Sequence, residues 1–131
     1  MFVYGGVMMS INPRMETEED IQLIKEYTLL PILLDMLARD MDELKVNQDK
    51  IIYNHIIFYL QEVESSIYPE LQMIKNKMRK QDIKILHTDM SSQGVDVEYK
   101  VRGYIHHFKL LRSLVKAELM SMLLNLRRRL K

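Results

Sequence analysis

Leu23, Tyr27, Leu30, Leu34, Leu37, Met41 and Leu44 recur at alternating spacings of four and three, the period of a single helical seam. Tyr53, Ile56, Leu60 and Val63 repeat the alternation, and after Ile67 it resumes at Leu71, Ile74 and Met78 with a slip of one residue. Two long helices within residues 17–81 are predicted. Between the stripes, residues 45–49 hold Val46 as their one apolar side chain, and so short a connection forces the helices to run antiparallel. Thr17 and Asp20 have the spacing of a capping pair, Glu18, Glu19 and Asp20 suit the positive end of the helix dipole, and Asn47 is the expected N-cap of the second helix. Pro31 and Pro69 each remove a helical donor, so a kink is expected at Pro31 and a kink or a break at Pro69, which sits at the slip in the stripe.

After Gln81 the period changes to two. Val95, Val97, Tyr99 and Val101 alternate with Asp96, Glu98, Lys100 and Arg102, the pattern of a half-buried strand. Ile83, Ile85 and His87 can pair with it across a turn at Ser91, Ser92, Gln93 and Gly94. Gly103 then ends the strand. Residues 104–130 read as a third long helix, with Phe108, Leu111, Val115, Leu119, Met122 and Leu126 on one side and Leu110, Leu114 and Leu124 widening that face. The predicted fold is mainly α: an antiparallel three-helix bundle in the order α-α-β-β-α, with a β-hairpin at residues 82–102. Residues 1–16, with Gly5, Gly6 and Pro13 and no helical period, read as a flexible arm, and residues 17–131 as one domain.

Within residues 51–60 only Asn54 and His55 are strongly polar, so this part of the second helix should be contacted from several sides. Together with the wide face of the last helix, this makes Ile51, Ile52, Ile57, Phe58, Leu110, Leu114 and Leu124 the candidate core of a homodimer interface.

Composition agrees with one globular domain, at 47% hydrophobic and 28% charged residues. The absence of cysteine excludes disulfides, thiolate catalysis and cysteine-ligated zinc, and it fits a reducing compartment such as the cytoplasm. The short apolar opening runs into Asn12, Pro13 and Arg14 without a cleavage site, and no stretch reaches transmembrane length, so no membrane association is expected.

A net charge of +1 hides an asymmetry: residues 16–49 carry ten acids and three bases, residues 100–131 nine bases and Glu118 as their one acid. Two basic clusters are the candidate interaction surface: Lys75, Lys77, Arg79 and Lys80, and Arg127, Arg128, Arg129 and Lys131. Both fall at predicted helix C-termini, where the dipole favours bases without any ligand. A winged-helix arrangement, with residues 69–80 as recognition helix and residues 83–101 as wing, is the alternative. Against it, Asp89 and Asp96 flank the wing tip and repel phosphates. In an up-down-up bundle Arg127, Arg128 and Arg129 are expected beside Asp40, Asp42 and Glu43.

Chemistry has no visible carrier. His55, Tyr59 and Glu62 share a helical face, but no Glu-x-x-His, His-x-x-x-His or His-Glu-x-x-His pattern occurs, and phosphate loops and nucleophile elbows are absent. No metal or cofactor is expected. The function predicted is that of a small cytoplasmic regulator or adaptor acting by protein–protein interaction, not an enzyme. A DNA-binding regulator of winged-helix type is second, and an enzyme or metal-binding bundle without a recognisable motif is third.

Overall fold

A computed structural model describes residues 16–47 and 49–129, with Arg129 in its backbone alone. The predicted N-terminal arm lies outside the described residues except for Glu16. Helix α1 spans Glu18–Lys45 and α2 Ile51–Lys80; strands β1 (Ile83–Ser91), β2 (Gly94–Val101) and β3 (Tyr104–Leu111) follow, and α3 (Arg112–Arg129) closes the order. The protein thus has three helices and a three-stranded antiparallel sheet.

Helix α1 starts where its side chains satisfy its first N–H groups. The Thr17 hydroxyl accepts from the Asp20 amide at 3.1 Å, and Asp20 Oδ2 accepts from the Thr17 amide at 2.9 Å, a reciprocal capping box. The N-cap of α2 is Lys50, which makes no side-chain cap; Asn47 instead accepts the Lys50 amide through its carbonyl within the turn. Pro31 and Pro69 both lie inside unbroken helices. A proline inside a helix costs about 3 kcal/mol. Leu29, Leu30 and Leu33 around the first and Ile67 and Ile74 around the second are buried, at about 1.5–3 kcal/mol each, so packing on both sides outweighs the missing donor.

The sheet has the order β1-β2-β3, with β2 in the centre. Val95, Val97, Tyr99 and Val101 of β2 are buried on its inner face, where they join Leu23, Ile24, Ile74 and Met78 of the long helices and Leu119, Met122 and Leu126 of α3 in one core. Gly94 opens β2 at φ +148°, and a Cβ there would lie 2.0 Å from the Leu110 carbonyl oxygen, so close approach of β3 requires glycine.

The two-stranded hairpin and the long third helix are corrected here. Arg102 (φ +49°) and Gly103 (φ +91°) form a two-residue turn with both φ positive, the geometry that joins antiparallel strands. The chain therefore returns as β3, pairing Tyr104 with Val101, His106 with Tyr99, Phe108 with Val97 and Leu110 with Val95. Arginine tolerates the left-handed position because it is tied on three sides: its amide donates to the Asp82 carbonyl at 2.8 Å, and its guanidinium to the Gln81 carbonyl at 3.1 Å and to Asp20 at 2.7 Å. Helix α3 begins only at Arg112.

A second irregularity lies in β1. Ile83 and Ile85 pair with Val101 and Tyr99, but the register shifts by one residue at Leu86, and His87 pairs with Glu98. This bulge carries His87 off the face that Ile83 and Ile85 share and onto the outer one, since an extra residue reverses the alternation that follows.

Lys25 Nζ bonds Glu118 Oε2 at 3.1 Å, and Glu26, Leu30 and Glu70 line one cleft with Met122, Asn125 and Leu126. Helices α1 and α3 therefore run in the same direction. At about 1.5 Å per residue Arg127 is level with about residue 34, well short of Asp40, Asp42 and Glu43. The expected pairing is not formed by Arg127 or Arg128; Asp42 faces Lys45 at 3.9 Å. The last two to three turns of α1 and the first turns of α2 run on past α3.

Candidate functional site

Glu16, Asp20, Tyr99, Arg102 and His106 gather where the start of α1 meets the inner face of the sheet. The capping box fixes Asp20, whose side chain is 1% exposed, and the Arg102 guanidinium reaches it from the β2–β3 turn. Beside it the buried Tyr99 hydroxyl donates to Glu16 Oε2, and His106 Nδ1 stands 3.6 Å from the same oxygen. The Tyr99 ring stacks on His106 at 5.7 Å between centroids and tilts against Phe108 at 5.5 Å. His106 Nε2 is buried without a hydrogen-bond partner among the described residues.

Burial first, and the Glu16 carboxylate second, push the Tyr99 hydroxyl well above the usual phenol range. A tyrosine held in this way keeps its proton at neutral pH and is unsuited to act as base or nucleophile. The cluster ties the first turn of α1 to two strands. It was not singled out from the sequence, because its members lie far apart in the chain; the capping spacing of Thr17 and Asp20 was its one legible part.

The outer face presents three rows of side chains. Lys84, Lys100 and Ile105 form one, His87, Glu98 and His107 the next, and Asp89, Asp96 and Lys109 the third. In the middle row His107 Nε2 lies 3.2 Å from Glu98 Oε2. Among the described residues no three His, Asp or Glu side chains are placed to hold a metal ion. His55, Tyr59 and Glu62 do line one shallow groove with Phe58 on the free side of α2.

Lys75, Lys77, Arg79 and Lys80 are exposed over the last turns of α2, where Lys75 and Arg79 line a groove with the start of β1. Arg127 and Arg128 are exposed at the end of α3, next to Leu126 in the Glu70 cleft, so the two basic clusters are not brought together. Arg129 closes α3 in its backbone, and Lys131 lies outside the described residues. Residues 69–80 are the second part of α2 and not a separate helix. Of the candidate interface core, Ile57 and Leu110 are buried within the chain, whereas Ile51 (82% exposed), Ile52 (67%), Phe58 (66%), Leu114 (51%) and Leu124 (39%) face outward.

Among the described residues no helix is long and apolar enough to cross a membrane. The family model described as YhjD protein matches residues 15–130, from the residue before Glu16 to beyond the end of α3. The chain belongs to the YhjD protein family. Neither the curated proteins nor the solved structures hold a match to it. The matched stretch takes in every helix and strand, the capping box and the outer rows of the sheet, so these are elements of a YhjD-family domain.

Proposed function

We propose that this YhjD-family protein is a small, non-catalytic cytoplasmic regulator or adaptor that works by protein–protein interaction, its first partner being a second copy of itself. On this reading the three helices act as one up-down-up bundle, and the projecting end of the α1–α2 hairpin docks on α3 of the partner copy. The carrying observation is that two separate apolar surfaces stand exposed, one at the hairpin end and one along α3. Ile51, Ile52 and Phe58 stand exposed at the hairpin end, where the exposed acids Asp40, Asp42, Glu43 and Asp49 are mixed with the exposed bases Arg39, Lys45 and Lys50. Leu114, Met120 and Leu124 stand exposed along α3, with the bases Lys116, Arg127 and Arg128 beside them. An end-on-helix contact made twice about a two-fold axis covers both surfaces, and apolar patches of this kind on a small chain mark interaction sites.

Light scattering on the purified protein at micromolar concentration tests the reading. The expected mass is twice 15.7 kDa. Phe58→Glu and Met120→Glu, each on one of the two surfaces and both at exposed positions, are expected to give the monomer mass without loss of helix. A wild-type protein that is monomeric under these conditions overturns the reading.

A further inference from the structure

We propose that the free edge of β1, at its start, takes up an extended acidic peptide of a partner protein as a fourth strand of the sheet. With the order β1-β2-β3, β1 pairs on one side only, so the backbone N–H and C=O groups of its other edge have no strand beside them among the described residues. An edge of this kind is a template for pairing with another chain.

A groove of about 470 Å³ borders this edge. Ile83, Lys84 and Ile85 line it from the strand, Lys75, Met78 and Arg79 from one face of α2, and Tyr27 from α1. Successive strand side chains point to opposite faces, so a groove that touches three in a row lies at the strand's edge and not on either face. An edge strand beside a helix, with an apolar floor between them, suits peptide binding by strand addition: main-chain hydrogen bonds supply affinity, and pockets for alternate side chains supply specificity. Tyr27, Met78 and Ile85 offer such a pocket. The register breaks at Leu86, so an added strand forms a regular ladder with residues 83–85 only and relies on its side chains for the rest.

Charge selects the occupant. Lys75, Arg79 and Lys84 line the groove against one acid, Asp82, and none of the three is in an ion pair among the described residues. The helix dipole accounts for Arg79, in the last turn of α2, but not for Lys75, which precedes that turn, nor for Lys84 in the strand. Lys84 also stands directly opposite Lys100, and Ile105 completes the row, so two bases face each other across strands without an acid. Like charges so placed are unfavourable.

An acid on a fourth strand beside Lys84 relieves this conflict, and the next side chain of that strand then points into the groove. The matching peptide therefore alternates acidic with apolar residues, its apolar side chains resting on Tyr27 and Met78. Lys75 and Arg79, exposed on the helix side, add a positive field to the same strip. Asp82 lies where β1 begins and marks the end at which acids are not favoured.

The test uses the full chain and a fluorescent peptide of alternating Glu and Val, followed by anisotropy. Saturable binding is expected, weaker at higher salt, and a Lys and Val counterpart should not bind. N-methylation of alternate amides gives two further peptides that should differ: the one blocked on the edge facing β1 should lose about tenfold in affinity or more, and the other should keep it. Lys75→Glu, Arg79→Glu and Lys84→Glu should each weaken binding about fivefold with circular dichroism unchanged. By NMR the backbone amide signals of residues 83–85 should shift. The proposal adds a partner to the protein–protein reading without using the self-contact: a monomer that binds the peptide supports it, and a dimer that does not bind overturns it alone. Absence of saturation by about 1 mM overturns it, as does equal binding of the two N-methylated peptides. A duplex oligonucleotide that binds through Lys75, Arg79 and Lys84 where the peptide fails returns these bases to nucleic acid.

Discussion

The Arg102 guanidinium stands 2.7 Å from Asp20, joining the turn between β2 and β3 to the first turn of α1 across 82 residues of chain. Asp20 is 1% exposed and serves at once as partner of Arg102 and as half of the capping box, so removing the arginine leaves a buried carboxylate whose one remaining donor among the described residues is the Thr17 amide. Arg102→Met keeps most of the side-chain volume and removes the charge. It is expected to destabilise the protein by about 3 kcal/mol, the scale of breaking one side of a buried pair. Urea unfolding measures it.

Lys25 and Glu118 form the contrasting case. Both side chains are partly open to solvent, at 23% and 29% exposed, and the pair joins α1 to α3 over an apolar contact that remains without it. Lys25→Met should cost no more than about 1 kcal/mol. A loss comparable to that of Arg102→Met would mean that this ion pair, and not the apolar packing, holds α3 in place.

Gly94 and Gly103 both have positive φ, yet they should respond differently to alanine. At Gly94 the new Cβ meets the Leu110 carbonyl oxygen at 2.0 Å, so the backbone of β3 must move; at Gly103 nothing lies within 4 Å. Gly103→Ala is expected to cost about 1 kcal/mol from backbone strain alone. Gly94→Ala should cost about 3 kcal/mol or more, as steric replacement of a ladder contact does. Melting temperatures of the two variants should rank in that order.

Tyr99 predicts an alkaline limit to stability. The folded state holds the phenol proton more tightly than the unfolded chain, so its contribution is complete below the unfolded pKa of about 10 and declines as pH rises past it. Tyr99→Phe should lower stability at neutral pH by about 1 kcal/mol, because Glu16 loses its donor. The gap between wild type and variant should then narrow at about pH 11, as measured by urea unfolding at both pH values.

The two long helices, the capping box and β2 were legible because each is a local pattern: a seam of period near 3.6, a three-residue spacing, and four alternating apolar positions. Residues 104–111 misled for a physical reason. Phe108, Leu110 and Leu111 fit a helical face as well as a strand, and the sign that decides between them is the left-handed turn just before. That turn contains an arginine, whose positive φ is fixed by Asp20, Gln81 and Asp82 from elsewhere in the chain. The polar junction and the His87–Glu98–His107 row were invisible for a related reason: the first depends on the register of β2 with β3 and on the packing of α1, the second on a bulge at Leu86, and neither follows from linear spacing.

Connections in this domain are short. Residues 46–50 join the long helices, Gln81 and Asp82 lead from α2 into β1, Ser92 with Gln93 and Arg102 with Gly103 turn the strands, and β3 passes into α3 with no residue between Leu111 and Arg112. Slack is therefore confined to the end of the helical hairpin. The direction in which β3 leaves the sheet therefore sets the start of α3, a rod about 27 Å long given eighteen residues at about 1.5 Å each, whose Leu119, Met122 and Leu126 then seat it in the core.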